Sequence, residues 1–328
     1  MKAKKKSSSI ISNAARRFLR ASWDVHDHSL WAVVHGYIYT RWPYLYIGIG
    51  KGDHPIAKKL TPLRRLWKRL RPTEKPKEPL RHSSTQATGT VADGYHAKVT
   101  PLDQACQLVT INQPIEMPDL EQVIPYTRAR ALILQNPDQI VVMVCPCRAA
   151  MENPCQPLDV CLVIGEPFVS LMLEYHPSRS RRITQEEAVK ILEREDERGR
   201  VHHAFFNDPM LGRFFGICNC CSCCCAAMRS HYNGTPMLAS SGYLAQVDED
   251  ECTACGTCEQ YCQFSALGLD NGSNLVDAQL CMGCGVCVSK CPQGALSLRR
   301  EPSKGLPLEI HALMEAQITN IKLAQDPC

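Results

Sequence analysis

No run in this 328-residue sequence is apolar for long enough to cross a bilayer, which takes about 20 residues. The basic N-terminus is not followed by a long apolar stretch, so a secretory leader is not expected. There is no dinucleotide fingerprint, no flavin motif and no convincing nucleophile–base set. The glycine-rich "GIGKGD" lacks the spacing and the closing Lys-Ser/Thr of a phosphate loop and reads as a turn. Nicotinamide, flavin and nucleotide chemistry are therefore not indicated, and any catalysis would take place at metal.

What the chain has instead is cysteine, 20 residues of it, gathered in runs. A chain of this length can build a core without disulfide staples. Adjacent cysteines rarely meet the separation and Cβ direction that a disulfide requires. Metal thiolates in a reducing compartment, the cytoplasm, are the better reading. The net charge of +4 hides a split: residues 1–81 carry 19 Lys and Arg against 5 Asp and Glu, and the rest 18 against 28. A basic arm precedes an acidic body.

Four segments are expected, with an α+β chain overall. Residues 1–95 form a basic, aromatic arm ending in the linker-like "RPTEKPKEPLRHSSTQATGT". Its "ARRFLRASWDVHDH" is similar to a twin-arginine signal but fails on spacing around Phe18 and on the charges that follow. "HSLWAVVHGYIYTRWPYLYIGIG" is apolar and aromatic, interrupted at Arg41 and Pro43, and does not suit a span. Leu63 to Leu70 reads as a basic amphipathic helix. Two readings stay open for the arm: contact with a membrane surface or partner, or packing over the body with aromatics inward. Without a reading motif, no nucleic-acid partner is expected.

Residues 96–240 form a cysteine-rich module of α/β character. "QIVVMVCPCR" predicts a buried strand over Ile140 to Val144 that delivers Cys145 and Cys147, and "DVCLVIG" predicts a second. "RITQEEAVKILEREDERG" predicts a helix with a Thr184/Glu187 capping pair, a stop at Gly199, and Ile183, Ala188, Ile191 and Leu192 on its apolar face. Residues 241–300 form a compact repeat, and residues 301–328 a tail with a short helix that has Pro307 in its first turn.

The repeat carries the strongest signal. "CTACGTCEQYCQFSALGL" aligns with "CMGCGVCVSKCPQGALSL" at an offset of 29 residues, each with C-x2-C-x2-C-x3-C. Over residues 252–292 this resembles the bacterial-type ferredoxin that holds two [4Fe–4S] clusters. The resemblance implies that one cluster takes Cys252, Cys255, Cys258 and Cys291, and the other Cys281, Cys284, Cys287 and Cys262, the fourth cysteine of each run being exchanged. Pro292 fits the family. Gln263 stands where the first copy usually has proline, a departure that touches the turn and not the ligands. Zinc is the alternative, but zinc needs four ligands and not two matched sets. Ala266, Leu267, Ala295 and Leu296 read as core.

Ten further cysteines fall into two groups: Cys145, Cys147, Cys155 and Cys161 in "CPCRAAMENPCQPLDVC", and Cys218, Cys220, Cys221, Cys223, Cys224 and Cys225 in "CNCCSCCC". Cys106 and Cys328 stand alone and read as buried or free thiols. Clustered free thiols would be redox-labile, and clustered thiolates repel until a cation neutralises them. One or two further iron–sulfur clusters, or one larger cluster, are expected across both groups, with zinc the weaker choice. Adjacent cysteines cannot all point one way, so the six are not expected to serve one site. The module is similar to segments before ferredoxin domains in poorly characterised iron–sulfur proteins of anaerobes, where "CxCR" and "CNCCxCCC" recur. Arg148 reads either as a charge offset or as a surface residue. His202, His203 and Asn219 lie near the motif, as ligands or as hydrogen-bonded bystanders.

The resulting expectation is an electron-transfer protein passing single electrons at low potential to a redox partner protein, with the arm peripheral on the cytoplasmic membrane face. An oxidoreductase with its own substrate at the upstream cysteines, and a scaffold with structural clusters, are the alternatives.

Overall fold

The structure is a computed structural model that describes residues 11–25, 29–51, 95–111, 123, 138–270, 273–312 and 314–315. The amphipathic stretch from Leu63 to Leu70, the linker and Cys328 lie outside the described residues. Among the described residues no helix is long and apolar enough to cross a membrane.

The arm contributes three helices, α1 (Asn13–Val25), α2 (Leu30–Arg41) and α3 (Pro43–Lys51). The break between α2 and α3 falls at the predicted Arg41–Pro43 interruption, with proline in the first turn of α3, where its missing N–H has no partner to lose. The last residues described in "GIGKGD", Gly48 to Lys51, are helical and not a turn. Apolar neighbours on both sides let the helix run on to Lys51, whose ammonium is drawn to carbonyls on the body. Phe18 is fully buried, a burial that stabilises by about 1.5–3 kcal/mol. Gly36 lets α2 approach closely, since a Cβ there would stand 2.8 Å from the Pro209 carbonyl.

The body is a seven-stranded sheet in the order β4-β2-β3-β6-β5-β1-β7. Its strands are β1 (Tyr95–Thr100), β2 (Ile140–Val144), β3 (Asp159–Ile164), β4 (Ser180–Ile183), β5 (Val201–Asn207), β6 (Arg213–Cys220) and β7 (Leu238–Ala239). Only β1 and β7 pair in parallel; the other pairs are antiparallel. The helices are α4 (Leu102–Thr110), α5 (Pro146–Ala149), α6 (Phe168–Tyr175), α7 (Gln185–Glu197) and α8 (Ala226–Tyr232). The Thr184 hydroxyl accepts from the Glu187 N–H at 3.2 Å and caps α7, as its sequence predicts.

Side-chain alternation divides the sheet into two faces. One buries Val142, Leu162, Ala204 and Ile217 against Leu108 of α4 and Ala188 and Leu192 of α7. The other buries Val141, Met143, Cys161 and Val163 against Phe18, Tyr39 and Phe168, so the arm and α6 cover it.

The C-terminal part is built as two similar halves. Strands β8 (Tyr243–Val247) and β11 (Leu296–Arg300) pair antiparallel, as do β9 (Leu267–Asp270) and β10 (Ser273–Val276). Helices α9 (Thr257–Tyr261) and α10 (Val286–Lys290) each begin at the same glycine of the repeat, Gly256 or Gly285, with φ of 74° and 83°, a region that favours glycine. Ala266, Leu267, Ala295 and Leu296 are buried. One apolar core runs through both parts, joining Val99, Val201, Phe205 and Cys220 to Phe264, Cys281, Met282 and Cys287. The tail is helical over residues 310–312 and 314–315, so Pro307 precedes the helix and does not lie in its first turn; residues 313 and 316–328 lie outside the described residues.

Candidate metal centres

The eight cysteines of the repeat gather in two places. Cys252, Cys255, Cys258 and Cys291 line one small cavity. Cys262, Cys281, Cys284 and Cys287 line another. Each cavity thus draws three cysteines from one run and the fourth from the other. The Cys262 Sγ accepts a hydrogen bond from the Ala266 N–H at 3.2 Å, the kind of contact that stabilises negative charge on sulfur.

The ten upstream cysteines divide differently from their order in the chain. Neighbouring strands β2, β3, β6 and β5 are in register so that Met143 faces Cys161, and Cys218 faces His203. Cys145 follows the end of β2, Cys147 sits on α5, and Cys225 caps α8. Each thiol interacts with the next around a closed ring: Cys145, Cys161, Cys218, Cys220, Cys225, Cys147 and back to Cys145. The ring surrounds a cavity of ≈ 80 Å³ whose remaining wall is apolar, including Met143, Met172, Phe205 and Phe215.

Two members of the ring favour the thiolate. Hydrogen bonds from Cys161 and Cys220 hold the Cys218 thiol down to about 5, against burial that pushes it up. Those from Cys147 and Cys220 hold the Cys225 thiol well below its usual range, again against burial. Thiolates enclosed by apolar walls fit soft metal, because a cation removes the cost of the buried charge.

The other four, Cys155, Cys221, Cys223 and Cys224, form a second set whose sulfurs all lie within 4.8 Å of one another. Cys221 and Cys224 are buried and also line the ring's cavity, while Cys223 is exposed. "CNCCSCCC" therefore sends Cys218, Cys220 and Cys225 to the ring and Cys221, Cys223 and Cys224 to the outer set. Among the described residues no disulfide is formed, and Cys106 stands apart on α4, half-buried.

Arg148 is not a surface residue. It is 1 % exposed and pairs with Glu195, equally buried, at 2.7 Å. The same guanidinium donates to the Asn219 carbonyl at 3.0 Å and to the Pro157 carbonyl. It thereby ties together the Cys147, Cys155 and Cys218–Cys220 segments. His202 and His203 point to opposite faces of β5. His202 meets the Asn219 side chain at 2.6 Å and turns away from the ring. His203 is fully buried within 4.8 Å of the Cys220 and Cys225 sulfurs, and neither of its ring nitrogens has a hydrogen-bond partner among the described residues.

Two contributors were not read from the sequence as part of the site. Lys51, at the end of α3, donates to the carbonyls of Cys147 at 2.9 Å and Cys224 at 3.0 Å, so the arm clamps both cysteine groups. Gln263 accepts from Ser222, which lies between Cys221 and Cys223, and its own amide donates to the Gly199 carbonyl at 3.2 Å. The only trace of Gln263 was its departure from the family's proline.

No curated protein matches the chain. Residues 251–296 match the family model of the 4Fe-4S dicluster domain, and with that domain the chain carries the protein part of an iron–sulfur centre.

Proposed function

We propose that the protein transfers single electrons between the dicluster domain and a further iron–sulfur cluster held in the six-thiol ring. Cys252, Cys255, Cys258 and Cys291 would hold one [4Fe–4S] cluster, and Cys281, Cys284, Cys287 and Cys262 the second. Cys145, Cys147, Cys161, Cys218, Cys220 and Cys225 would hold the third centre. The clusters supply one-electron chemistry when bound. The chain's own residues separate them from water with Phe205, Phe215 and Met282, and hold the two cysteine regions in fixed relation.

One observation carries this reading. The turn after Cys262 and the loop of the upstream cysteines are hydrogen-bonded to each other through Gln263 and Ser222, over a shared apolar core. A structural cluster would have no need of such a connection. Potentials of these centres span roughly −700 to +450 mV, and the low end is proposed for a ferredoxin-type carrier. A basic redox partner would dock on the acidic body by steering.

The location proposed is the reducing cytoplasm, with the arm on an anionic membrane face. Leu30, Trp31, Val34 and Ile38 on α2, Trp42 at the break, and Leu45 and Ile49 on α3 are exposed although Tyr39 and Phe18 pack inward. Apolar and aromatic side chains beside a strongly basic segment suit the lipid interface.

A second reading has its own support. A groove of ≈ 920 Å³ runs between the arm and α8 and shares Tyr39, Ile47 and Ala227 with the wall of the ring's cavity. An oxidoreductase would place an apolar substrate there. A potentiometric titration of the anaerobic protein followed by paramagnetic resonance separates the two. Reversible one-electron signals from more than two centres, insensitive to small molecules, support the carrier. A substrate-dependent change confined to the third centre supports the enzyme. Iron and sulfide sufficient for two cubanes only would overturn both.

A further inference from the structure

We propose that Cys155, Cys221, Cys223 and Cys224 hold one mononuclear metal ion in a tetrahedral all-thiolate site, distinct from every iron–sulfur cluster of the protein. The argument is geometric. A metal–sulfur bond of about 2.3 Å places the four sulfurs of a tetrahedral site about 3.8 Å apart. Here Cys223 stands 3.2 Å from Cys221, 3.3 Å from Cys155 and 3.6 Å from Cys224, and Cys221 stands 3.9 Å from Cys155. A cubane binds each thiolate on a different iron. Its sulfurs are held apart by the width of the cube and two further bonds, well beyond these distances.

The dicluster domain is an internal reference. Among the described residues, two groups of three or more ligand-type side chains close to within 4.8 Å, and neither includes any of its eight cysteines. The same chain thus spaces the sulfurs of its repeat widely and those of the outer set tightly.

The local sequence explains the tightness. Three of the four ligands fall within four consecutive residues, Cys221 to Cys224, where the cube-wrapping run spaces its cysteines three apart. The fourth, Cys155, comes from the loop between α5 and β3, 66 residues upstream of Cys221. An ion there would clip that loop to the turn after β6, closing a long chain segment much as a cross-link does. The positive charge of Arg200 acts on Cys155 and offsets part of the surplus of four thiolates over a divalent ion. Zinc and iron share this ligand chemistry, and the set fits either.

The test uses the full chain, purified without oxygen, as wild type and as Cys155→Ala and Cys223→Ala. Zinc, iron and acid-labile sulfide are counted per chain in all three proteins, and the paramagnetic signals of the dicluster domain are recorded alongside. The expected result is the loss of one metal ion in each variant with sulfide unchanged. Loss of zinc assigns a structural clip, and loss of iron assigns a rubredoxin-like redox site. Parallel loss of several irons and sulfides would overturn the proposal, as would no loss of metal. Cys223 is exposed, so its removal opens no buried cavity, and unchanged dicluster signals verify that the dicluster domain is kept. The wild-type titration that tests electron transfer is read separately, so either proposal can fail alone.

Discussion

Gln263 Oε1 accepts two hydrogen bonds from Ser222, one from the backbone N–H and one from the hydroxyl, each 3.0 Å long. Gln263 follows Cys262 of the dicluster domain, and Ser222 sits between two cysteines of the outer set. A proline at position 263 has no side-chain oxygen with which to accept these bonds. The departure from the family pattern is therefore the residue that joins the two cysteine regions.

Replacing Gln263 with leucine removes both bonds and the one to Gly199 while leaving every cysteine in place. At about 0.5–1.5 kcal/mol for each of the three bonds, the urea midpoint should report a loss of about 1.5–4.5 kcal/mol. Iron and sulfide should match wild type, and the upstream centre should be reduced more slowly after mixing with dithionite. An unchanged rate would remove Gln263 from the electron path.

Arg148→Met should destabilise by about 3–5 kcal/mol, because it leaves buried Glu195 without its principal partner. The exposed Arg198, 3.0 Å from the other Glu195 oxygen, limits the damage. Adding Glu195→Leu should recover most of the loss, since no buried charge is then left unpaired. Chemical denaturation of the two variants checks this. A double variant no more stable than Arg148→Met would count against the pair as the cause.

His203→Phe keeps the volume and apolar packing of a buried ring but has no nitrogen to offer. If the ring's centre is bound or hydrogen-bonded by His203, its paramagnetic signal and midpoint potential shift while those of the dicluster domain stay. Signals identical to wild type would reduce His203 to a core side chain.

Lys98 gives a pH-dependent prediction away from the metal centres. It is 1 % exposed and donates to the Leu306 carbonyl at 2.7 Å, and burial pushes its pKa from 10.5 down to about 7. Between these values the unfolded chain binds a proton that the native chain does not. This residue's contribution to stability therefore rises as pH increases from 7 toward 10.5, and is lost as pH falls back to 7. The slope is at most about 1.4 kcal/mol per pH unit. Urea midpoints of wild type minus Lys98→Met should show that rise; a flat difference would contradict it.

The arm should bind vesicles containing anionic lipid and release them as salt increases. Trp31, 80 % exposed, and Trp42 are the residues to change to glutamate. Co-sedimentation that is equal for neutral and anionic vesicles, or unaffected by both changes, would argue for a protein partner on this surface instead.

Much of the local structure was legible in the sequence. β2 and β3 were visible as apolar runs, and α7 as a periodic face with a capping threonine. β5 and β6 were not anticipated. "VHHAFFN" and "RFFGICNC" place histidines, asparagine and cysteines inside strands buried on both sides, so polarity does not alternate with burial. The helical end of α3 was missed for a related reason: glycines and a lysine suggest a turn until the body supplies carbonyls for Lys51.

The chain by itself determined the repeat of residues 252–291, because each run is a local loop whose chemistry lies in its spacing. The exchange of Cys262 and Cys291 came with the resemblance to a known family, and not from either run alone. How ten other thiols divide into a ring of six and a set of four was decided only in three dimensions. It depends on the register of four strands brought together across 80 residues, which turns Cys161, Cys218 and Cys220 to one face, and on a loop that turns Cys221, Cys223 and Cys224 toward Cys155. A linear sequence states which cysteines are neighbours in the chain; hydrogen bonding between distant strands decides which are neighbours in space.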